Sequence, residues 1–295
     1  RPGKITQVSF VGFGLLIAVI IGGRWVAESP LGHYLHLSPK TLVWAMIIYG
    51  FLAAVLPVWV LLTPRDYLST FMKVGTITIL ALGIIIVRPL VEMSAVTEFA
   101  FNTAGPVFAG TLFPFLFITI ACGALSGMHA MVSSGTSPKM VEKETQVRMI
   151  GYGGMLMESF VAIMALAAAV SLSPGIYFSM NTSTATMNKL AGPETVAAAP
   201  CKTTDDPEHH CEKLAEVAVG NLGVTDAQGH KPTPKWDSWD DNGNPKTYTG
   251  AEALERLASD VGGPNVVSRT GGAPTLSVGI AHILHQIGGG RAMMG

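Results

Sequence analysis

The chain has 295 residues, of which 49% are hydrophobic and only 13% are charged, about half the charged share of an average soluble domain. Its formal net charge is −1, so it lacks the excess of Lys and Arg with which a nucleic-acid-binding domain neutralises phosphates. The composition therefore favours a membrane protein and argues against a nucleic-acid partner.

The apolar residues are grouped into stretches of the length that crosses a bilayer, about 20 residues each. In chain order these stretches are 5–23, 41–62, 68–87, 107–127 and 150–172. A further membrane segment is predicted to begin within 272–295 and to be truncated by the end of the chain. The sequence therefore predicts an all-α integral membrane protein, a multi-span helical bundle with its lipid-facing surface in the bilayer.

The charges predict how the bundle is oriented. Residues 173–271 carry 8 Lys and Arg against 13 Asp and Glu, whereas the rest of the chain carries 11 against 7. Short cytoplasmic loops retain Lys and Arg. One set of alternate loops holds seven such residues, namely Arg1, Lys4, Arg65, Lys73, Lys139, Lys143 and Arg148, and the opposing loops hold three, namely Arg24, Lys40 and Arg88. The first set is predicted to be cytoplasmic, which makes 173–271 an extracytoplasmic acidic loop.

This acidic segment is rich in turn-forming residues and is expected to be mostly loop with two short helices, 211–219 and 251–261. The second helix opens with Thr249 followed three residues later by Glu252, the pattern of a capping box. Its apolar face consists of Leu254, Leu257, Ala258 and Val261. We expect this face to pack against the outer rim of the membrane body.

Cys201 and Cys211 flank a short run of acids and histidines, 205–210. A zinc or copper site, a disulfide and two free thiols are all compatible with this pattern, but it lacks the CxxC and HxxxH spacings typical of zinc. An external position favours a disulfide between the two cysteines. No metal and no cofactor is predicted.

The fourth apolar stretch has the features of a transport site, where helices break near the bilayer midplane and free polar groups replace the water around a substrate. Thr119, Gly123 and Ser126 are spaced four and three residues apart, which places them on one helical face. They are candidates for substrate binding. The alternative is close helix packing, since Gly123 and Gly127 form a GxxxG pattern.

A polar cluster, Ser133, Ser134, Gly135 and Thr136, follows this stretch. Its hydroxyls and backbone N–H groups could bind a carboxylate, or they could cap a helix near the inner interface. His129 could carry a proton, because its ordinary pKa is near neutral pH, or it could be an interfacial residue.

Glu158 lies well inside the fifth predicted span, where an acid costs about 2.5 to 3.5 kcal/mol on insertion scales and is usually functional or paired. It is a candidate proton-coupling residue, with a structural role as a hydrogen-bonding partner of neighbouring helices as the alternative. In the last segment, His282 and His285 share one helical face and could join a polar pathway or bind metal. The chain contains no P-loop, dinucleotide-binding GxGxxG, HExxH or GxSxG motif, so an enzyme is not expected.

Long stretches of the sequence resemble the carbon starvation protein A family. They are RPGK at 1–4, LPVWVLLTPRDYLSTFMKVGT at 56–76, GPVFAGTLFPFLFITIACGALSGMHAMVSSGTSPKM at 105–140, IGYGGMLMESFVAIMAL at 150–166 and SRTGGAPTLSVGIAHILH at 268–285. The resemblance covers nearly the whole chain and is weakest over 180–260, which includes the two cysteines.

The resemblance implies a multi-pass carrier of the bacterial inner membrane that imports pyruvate or peptides during carbon starvation, driven by the proton gradient. It also implies an inverted-repeat fold with broken helices and a chain more than twice as long, of which this is an internal section that needs the remaining helices. Two alternatives stay open, a membrane nutrient sensor and a fragment without transport activity of its own.

Overall fold

The computed structural model describes residues 5–30, 37–101, 103–108, 110–119, 121, 127–198, 210–240, 244–263 and 265–287. The chain divides into two compact units, Arg1–Ile79 and Leu80–Gly295. Each unit is described by itself below.

The first unit contains helices α1 (Ile5–Glu28) and α2 (Pro39–Val55) and the first part of α3 (Val58–Val87). Ser38 caps α2, because its Oγ accepts a hydrogen bond from the Thr41 backbone N–H at 3.3 Å. Helix α2 ends at Val55 because Leu56 precedes a proline and is extended (φ −75°, ψ 148°). The predicted second span, 41–62, is therefore divided, and 58–62 belongs to the 30-residue helix α3.

Aromatic and polar contacts join the helices of this first unit. The Phe13 and Phe71 rings lie 6.0 Å apart, edge to face, and Gly12 leaves room for Leu68, because a Cβ on Gly12 would lie 2.8 Å from the leucine side chain. Arg65 donates a hydrogen bond of 2.7 Å to the Tyr49 hydroxyl. Helix α3 thus packs on α1 through apolar groups and on α2 through a polar pair.

The fourth predicted span, 107–127, is not one straight helix in the described residues. It contains a π-helical turn, Leu112–Leu116, in which Phe113 has non-helical dihedral angles (φ −116°, ψ 130°). A second π-helical turn, Val132–Thr136, follows the short helix Gly127–Met131. Residues 122–126 lie outside the described part of the chain.

Helix α4 (Glu144–Val170) is the longest uninterrupted helix of the second unit. Among the described residues, two helical segments are long and apolar enough to cross a membrane, Arg65–Val87 and Glu144–Val170, and two shorter apolar segments are Ser9–Gly23 and Lys40–Val55. The described chain is mostly helical, which fits a helical membrane protein.

The acidic segment forms a folded region, so the expectation that it is mostly loop is wrong for its described residues. It contains helices α5 (Pro174–Asn181), α6 (Thr184–Ala191), α7 (Pro193–Ala198), α8 (His210–Gly220) and α9 (Gly250–Asp260). Strands β1 (Lys235–Trp239) and β2 (Pro245–Thr249) form an antiparallel hairpin in which Trp236 lies opposite Tyr248. The next helix, α10 (Gly272–Ile287), returns into the same unit.

The apolar face of α9 packs into the core of this region rather than against a membrane rim. Leu254 and Leu257 are fully buried in one cluster with Trp236, Leu214 and Met180. Val261, expected on the same face, is 38% exposed. The sequence pattern therefore predicted an amphipathic helix but assigned the wrong surface to its apolar face.

The capping box predicted for α9 does not form. Thr249 occupies the N-cap position without a side-chain hydrogen bond, and the carboxylate of Glu216 on α8 accepts a 3.0 Å bond from the Ala251 N–H instead. Gly250 lies between them at φ +65°, and a Cβ there would lie 2.4 Å from the Glu216 carboxylate. The tertiary contact thus replaces the local cap.

The Asp260 carboxylate holds the hairpin against α9. It accepts hydrogen bonds from Trp236 Nε1 at 2.8 Å and Ser238 Oγ at 2.6 Å, and its other oxygen lies 3.3 Å from Arg256 Nε. Arg256 also donates a 2.6 Å bond to the Trp239 carbonyl. Trp236 is 1% exposed, so this network lies at the edge of the core.

Replacing Asp260 with alanine is expected to lower the free energy of unfolding by about 3 kcal/mol, because two donors and one guanidinium lose their acceptor in a partly buried site. The thermal unfolding midpoint of the detergent-purified full-length protein measures this effect. Glu252→Gln is the matched control in the same helix, because Glu252 makes only an exposed 3.1 Å pair with Lys246, worth about 1 kcal/mol or less. Equal shifts for the two variants would contradict the assignment.

Candidate functional site

A cavity of about 740 Å³ lies in the second unit, bordered by segment 105–108, the end of α4, helices α5 and α6, and the start of α10. Its polar lining comes from Tyr177, Asn181, Ser183, Thr186, Thr270 and Thr275. The described residues that line it include no Asp, Glu, Lys or Arg. Any ligand here would therefore meet neutral hydrogen-bonding groups and apolar walls.

Asn181 ties the end of α5 to the start of α10. Its Nδ2 donates to Thr275 Oγ1 at 2.9 Å and to the Tyr177 carbonyl at 3.0 Å, while its Oδ1 accepts a 3.3 Å bond from the Gly271 N–H. Asn181 and Thr275 are 7% and 5% exposed. The two residues are 94 positions apart in the chain, so this contact exists only in the folded protein.

The N-terminus of α10 borders the same cavity. Gly271 has φ +124°, a conformation that favours glycine, and Gly271, Gly272 and Thr275 all line the cavity. The first N–H groups of a helix have no intrahelical acceptor and lie at the positive end of the helix dipole. A carboxylate is a favourable ligand for such an end.

Tyr177 adds a hydroxyl to the cavity lining. Burial raises the pKa of this phenol above its ordinary value of 10.0, so the hydroxyl remains a neutral donor at physiological pH. Its ring packs edge to face on Phe178 with a centroid distance of 5.4 Å. Tyr177 and Asn181 both line the cavity.

Ala165 and Ala169 bring one face of α4 to the cavity. Small residues and one acid continue this face toward the N-terminus of the helix at spacings of three and four residues. They are Gly151, Gly154, Glu158 and Ala162. Glu158 precedes Ala165 by seven residues, about 10 Å along the helix axis.

None of the predicted substrate residues that the structure describes lines this cavity. Thr119, Ser133, Ser134 and Gly135 are exposed, and the hydroxyls of Ser133 and Ser134 donate to the Ala130 carbonyl at 3.1 and 2.7 Å. Gly123, Ser126 and the side chain of Thr136 lie outside the described part of the chain. The substrate role of this group stays a prediction.

The predicted proton-coupling residues are both exposed, His129 in the short helix before the second π-helical turn and Glu158 in the middle of α4. Their roles also stay predictions. Cys211 is 1% exposed and disulfide-bonded. Cys201 and most of the acidic run beside it lie outside the described residues, so the pairing of these two cysteines remains a prediction. Among the residues that the structure describes, no group of three or more His, Cys, Asp or Glu is placed to hold a metal.

The sequence interpretation missed Asn181, Thr275 and Tyr177 as site residues. The available signal was the Gly271-Gly272-Ala273-Pro274-Thr275 run, in which two glycines and a proline mark the start of an apolar helix. Asn181 gave no signal of its own, because it lies in a segment predicted to be loop. Only its contact with Thr275 identifies it.

A cluster of ionisable groups lies around Glu92, in the segment that follows α3. Glu92 donates its backbone N–H to the Val170 carbonyl and accepts from the Ala227 N–H, both at 3.0 Å. Burial raises the pKa of its carboxyl above the ordinary value of 4.5, Lys235 opposes that shift, and Asp237 and Asp226 add to it. The ionised carboxylate is therefore less stable in the folded protein than in the unfolded chain.

The sign of this shift predicts a pH-dependent effect of Glu92→Gln. The penalty of ionising Glu92 is absent below its unfolded value of 4.5, grows as the pH rises, and is complete above the raised folded pKa. The variant should therefore unfold at a higher temperature than the wild type at neutral pH and at the same temperature in acid. Glu194→Gln, at an exposed site on α7, is the control and should change neither midpoint. A lower midpoint for Glu92→Gln at neutral pH would show that the carboxylate stabilises the fold.

The long apolar helices and the low charge define a helical membrane protein. Comparison with known families then identifies the group: residues 1–233 match the family described as carbon starvation protein CstA. The chain belongs to this family.

Curated relatives agree with this assignment. The chain is 48% identical over 98% of its length to the peptide transporter CstA of Mycobacterium tuberculosis (strain ATCC 25618 / H37Rv), of which it covers 33%. It is 49% identical over 98% of its length to the peptide transporter CstA of Escherichia coli K12, covering 36% of that protein. It is 44% identical over 97% of its length to the pyruvate/proton symporter BtsT of the same strain, covering 37%. The chain thus spans about a third of the length of the relatives it matches, and no solved structure matches it significantly.

Proposed function

We propose that this chain is part of a secondary active transporter of the bacterial inner membrane that imports pyruvate or small peptides with protons. Relatives named as peptide transporters and as a pyruvate/proton symporter support both substrate classes and the coupling ion. The low charge and long apolar helices support a membrane location. In this proposal the chain contributes one section of a multi-pass carrier with inverted repeats, and 173–271 faces the extracytoplasmic side.

The cavity beside Asn181 is the observation that carries the proposal. Its volume of about 740 Å³ lies in the range of small-molecule sites, about 300 to 1,000 Å³. Neutral donors and a helix N-terminus can bind a carboxylate without a permanent positive charge. Such a site holds an anion by hydrogen bonds that water can replace, which suits a carrier that must also release its substrate.

We further propose Glu158 as the coupling group. It lies on the helical face of α4 that includes Ala165 and Ala169 at the cavity, and no other Asp or Glu lies between Glu144 and the end of that helix. An acid on a membrane helix is costly and usually faces a polar pathway. A face of small residues leaves room beside the carboxylate for water or substrate.

The residues predicted from the fourth apolar stretch form a second candidate substrate region. The π-helical turn that contains Ser133, Ser134 and Gly135 supports this, since such turns are frequent at functional sites. His129 precedes the same turn and is a candidate proton carrier there. On the opposite side of the membrane, a Cys201–Cys211 disulfide would close an external loop, and the disulfide bond at Cys211 supports it.

Uptake by the full-length protein in proteoliposomes tests the proposal. Labelled pyruvate and labelled dialanine are offered separately, with and without an imposed proton gradient, and a protonophore is added as the control. We expect at least one substrate to accumulate against its concentration gradient and the accumulation to collapse with the protonophore. Well-folded protein that accumulates neither substrate would refute transport and leave the nutrient sensor as the function to test.

A further inference from the structure

Two histidines of α10 lie against two tryptophans of the β1 strand. The His282 and Trp236 rings are 5.5 Å apart between centroids, and the His285 ring lies 6.5 Å from Trp236 and 6.4 Å from Trp239. Residues spaced three apart on a helix are neighbours on its surface. The four rings therefore form one aromatic cluster, here called the His–Trp cluster, outside the cavity described above.

Three of the ring nitrogens in this cluster are buried and have no hydrogen-bond partner among the described residues. Within the described part of the chain, neither ring nitrogen of His285 has a hydrogen-bond partner, and neither does Trp239 Nε1, although all three atoms are buried. Native proteins pair the large majority of such atoms, with protein groups or with ordered water. His282 differs in having one partner, since its Nε2 lies 3.2 Å from Gln286 Nε2.

An unpaired imidazole has a property that a paired one lacks. When one ring nitrogen of a histidine is hydrogen-bonded to a fixed protein group, that bond sets the tautomer. His285 has no such bond among the described residues, so either nitrogen can hold the proton. This freedom is what a group needs if it is to receive a proton on one side and release one on the other.

Of the charged groups around the cluster, Asp260 and Arg256 already make hydrogen bonds, and Asp237 acts electrostatically on His282. Asp260 accepts from Trp236 Nε1 and Ser238 Oγ, and Arg256 donates to the Trp239 carbonyl. Burial of the His282 ring disfavours a positive charge there, and Asp237 on β1 partly offsets this effect. The indole faces of Trp236 and Trp239 also stabilise a nearby cation. Tyr177 on α5 is neutral, because burial raises its pKa, and His285 itself opposes a positive charge on His282.

The position of the pair links it to the cavity. Thr275, His282 and Gln286 fall on one face of α10 at spacings of seven and four residues. His282 thus lies two helical turns, about 10 Å, from the cavity residue Thr275. The same helix therefore carries both an N-terminus that lines the cavity and the two histidines of the cluster.

We propose that His285 and His282 form a proton-transfer pair for the coupled transport, an inference that rests on the function proposed above. Neutral His285 accepts a proton on its free ring nitrogen and becomes an imidazolium. It then releases the proton from its other nitrogen to His282 directly or through one water molecule. His285 is left neutral in the opposite tautomer, and His282 carries the positive charge until it releases its own proton to water, after which both rings are neutral again.

The test compares two modes of transport in the full-length protein carrying His285→Gln. Gradient-driven accumulation needs proton transfer, whereas exchange of labelled for unlabelled substrate across the membrane does not need net proton movement. We expect accumulation to fall at least tenfold and exchange to stay within twofold of the wild type. His230→Gln is the matched control, since His230 is 75% exposed on a surface turn, and both modes should persist in it.

Two further measurements keep the inference testable. If His285→Gln does not fold, His282→Gln carries the same comparison, because His282 is the other member of the proposed pair. His285→Ala should recover accumulation when imidazole is added to the buffer, as a merely structural ring would not. Equal loss of both modes, or normal accumulation in folded variants, overturns the proton-transfer pair. Wild-type protein without any uptake would instead overturn the transport function itself.

Discussion

Replacing Asn181 with alanine is expected to lower substrate uptake by the full-length protein about 10- to 100-fold, with the protein still folded. The amide makes two hydrogen bonds that join the end of α5 to the start of α10 and a third to the Tyr177 carbonyl within α5. Without it, Thr275 and the Gly271 N–H lose a partner, at a cost of about 1 to 3 kcal/mol for each buried group. The start of α10, whose Gly271, Gly272 and Thr275 line the cavity, would then no longer be held in place.

Initial uptake rates at several substrate concentrations measure this effect, because a displaced binding group raises KM more than it lowers the maximal rate. Asn221→Ala is the matched control: its amide donates a 3.0 Å bond to the Leu190 carbonyl, away from the cavity. Thr275→Val should reproduce part of the Asn181 effect, since it removes one hydroxyl without changing the side-chain shape. Unchanged KM in both cavity variants would remove this cavity from the substrate pathway.

Replacing Glu158 with glutamine is expected to abolish gradient-driven accumulation while exchange of substrate across the membrane continues. Glutamine keeps the shape of the side chain and its hydrogen-bonding capacity but cannot take up and release a proton. A group that couples proton flow to transport is needed only when net movement is required. The variant should therefore separate the two modes.

Glu144→Gln is the control for this second prediction, because Glu144 lies in the first turn of the same helix and is exposed. It should accumulate substrate like the wild type. If Glu158→Gln also accumulates substrate normally, Glu158 has the structural role that the sequence left open. If both transport modes fail in folded protein, Glu158 belongs to the binding site rather than to the coupling step.

The hydrophobic pattern predicted where apolar helices occur better than where they end. The stretch from Thr41 to Leu62 has no charge, so composition alone suggested one span. The helix ends at Val55 because Leu56 precedes Pro57 and adopts an extended conformation. Pro57 was visible in the sequence as a possible helix end, but the uniformly apolar residues on both sides of it suggested one continuous span.

The acidic segment shows the opposite limit. Its turn-forming composition suggested loop, yet helices and a hairpin enclose a core in which Trp236, Leu254 and Leu257 are nearly or fully buried. The amphipathic pattern of α9 was sufficient to predict a helix, with bounds within one residue of those observed. It could not identify the partner of the apolar face, because periodicity specifies a face and not what covers it.

The sequence by itself determined that this is a helical membrane protein of the carbon starvation family, because length, apolar runs and long matching stretches are properties of the chain order alone. Only the tertiary structure decided which polar residues meet. Asn181 contacts Thr275 across 94 positions. The His285 ring packs beside Trp239, although β2 and α9 lie between the two residues in the chain. No local spacing encodes such contacts, since they depend on how separate helices pack and on which buried polar groups find partners.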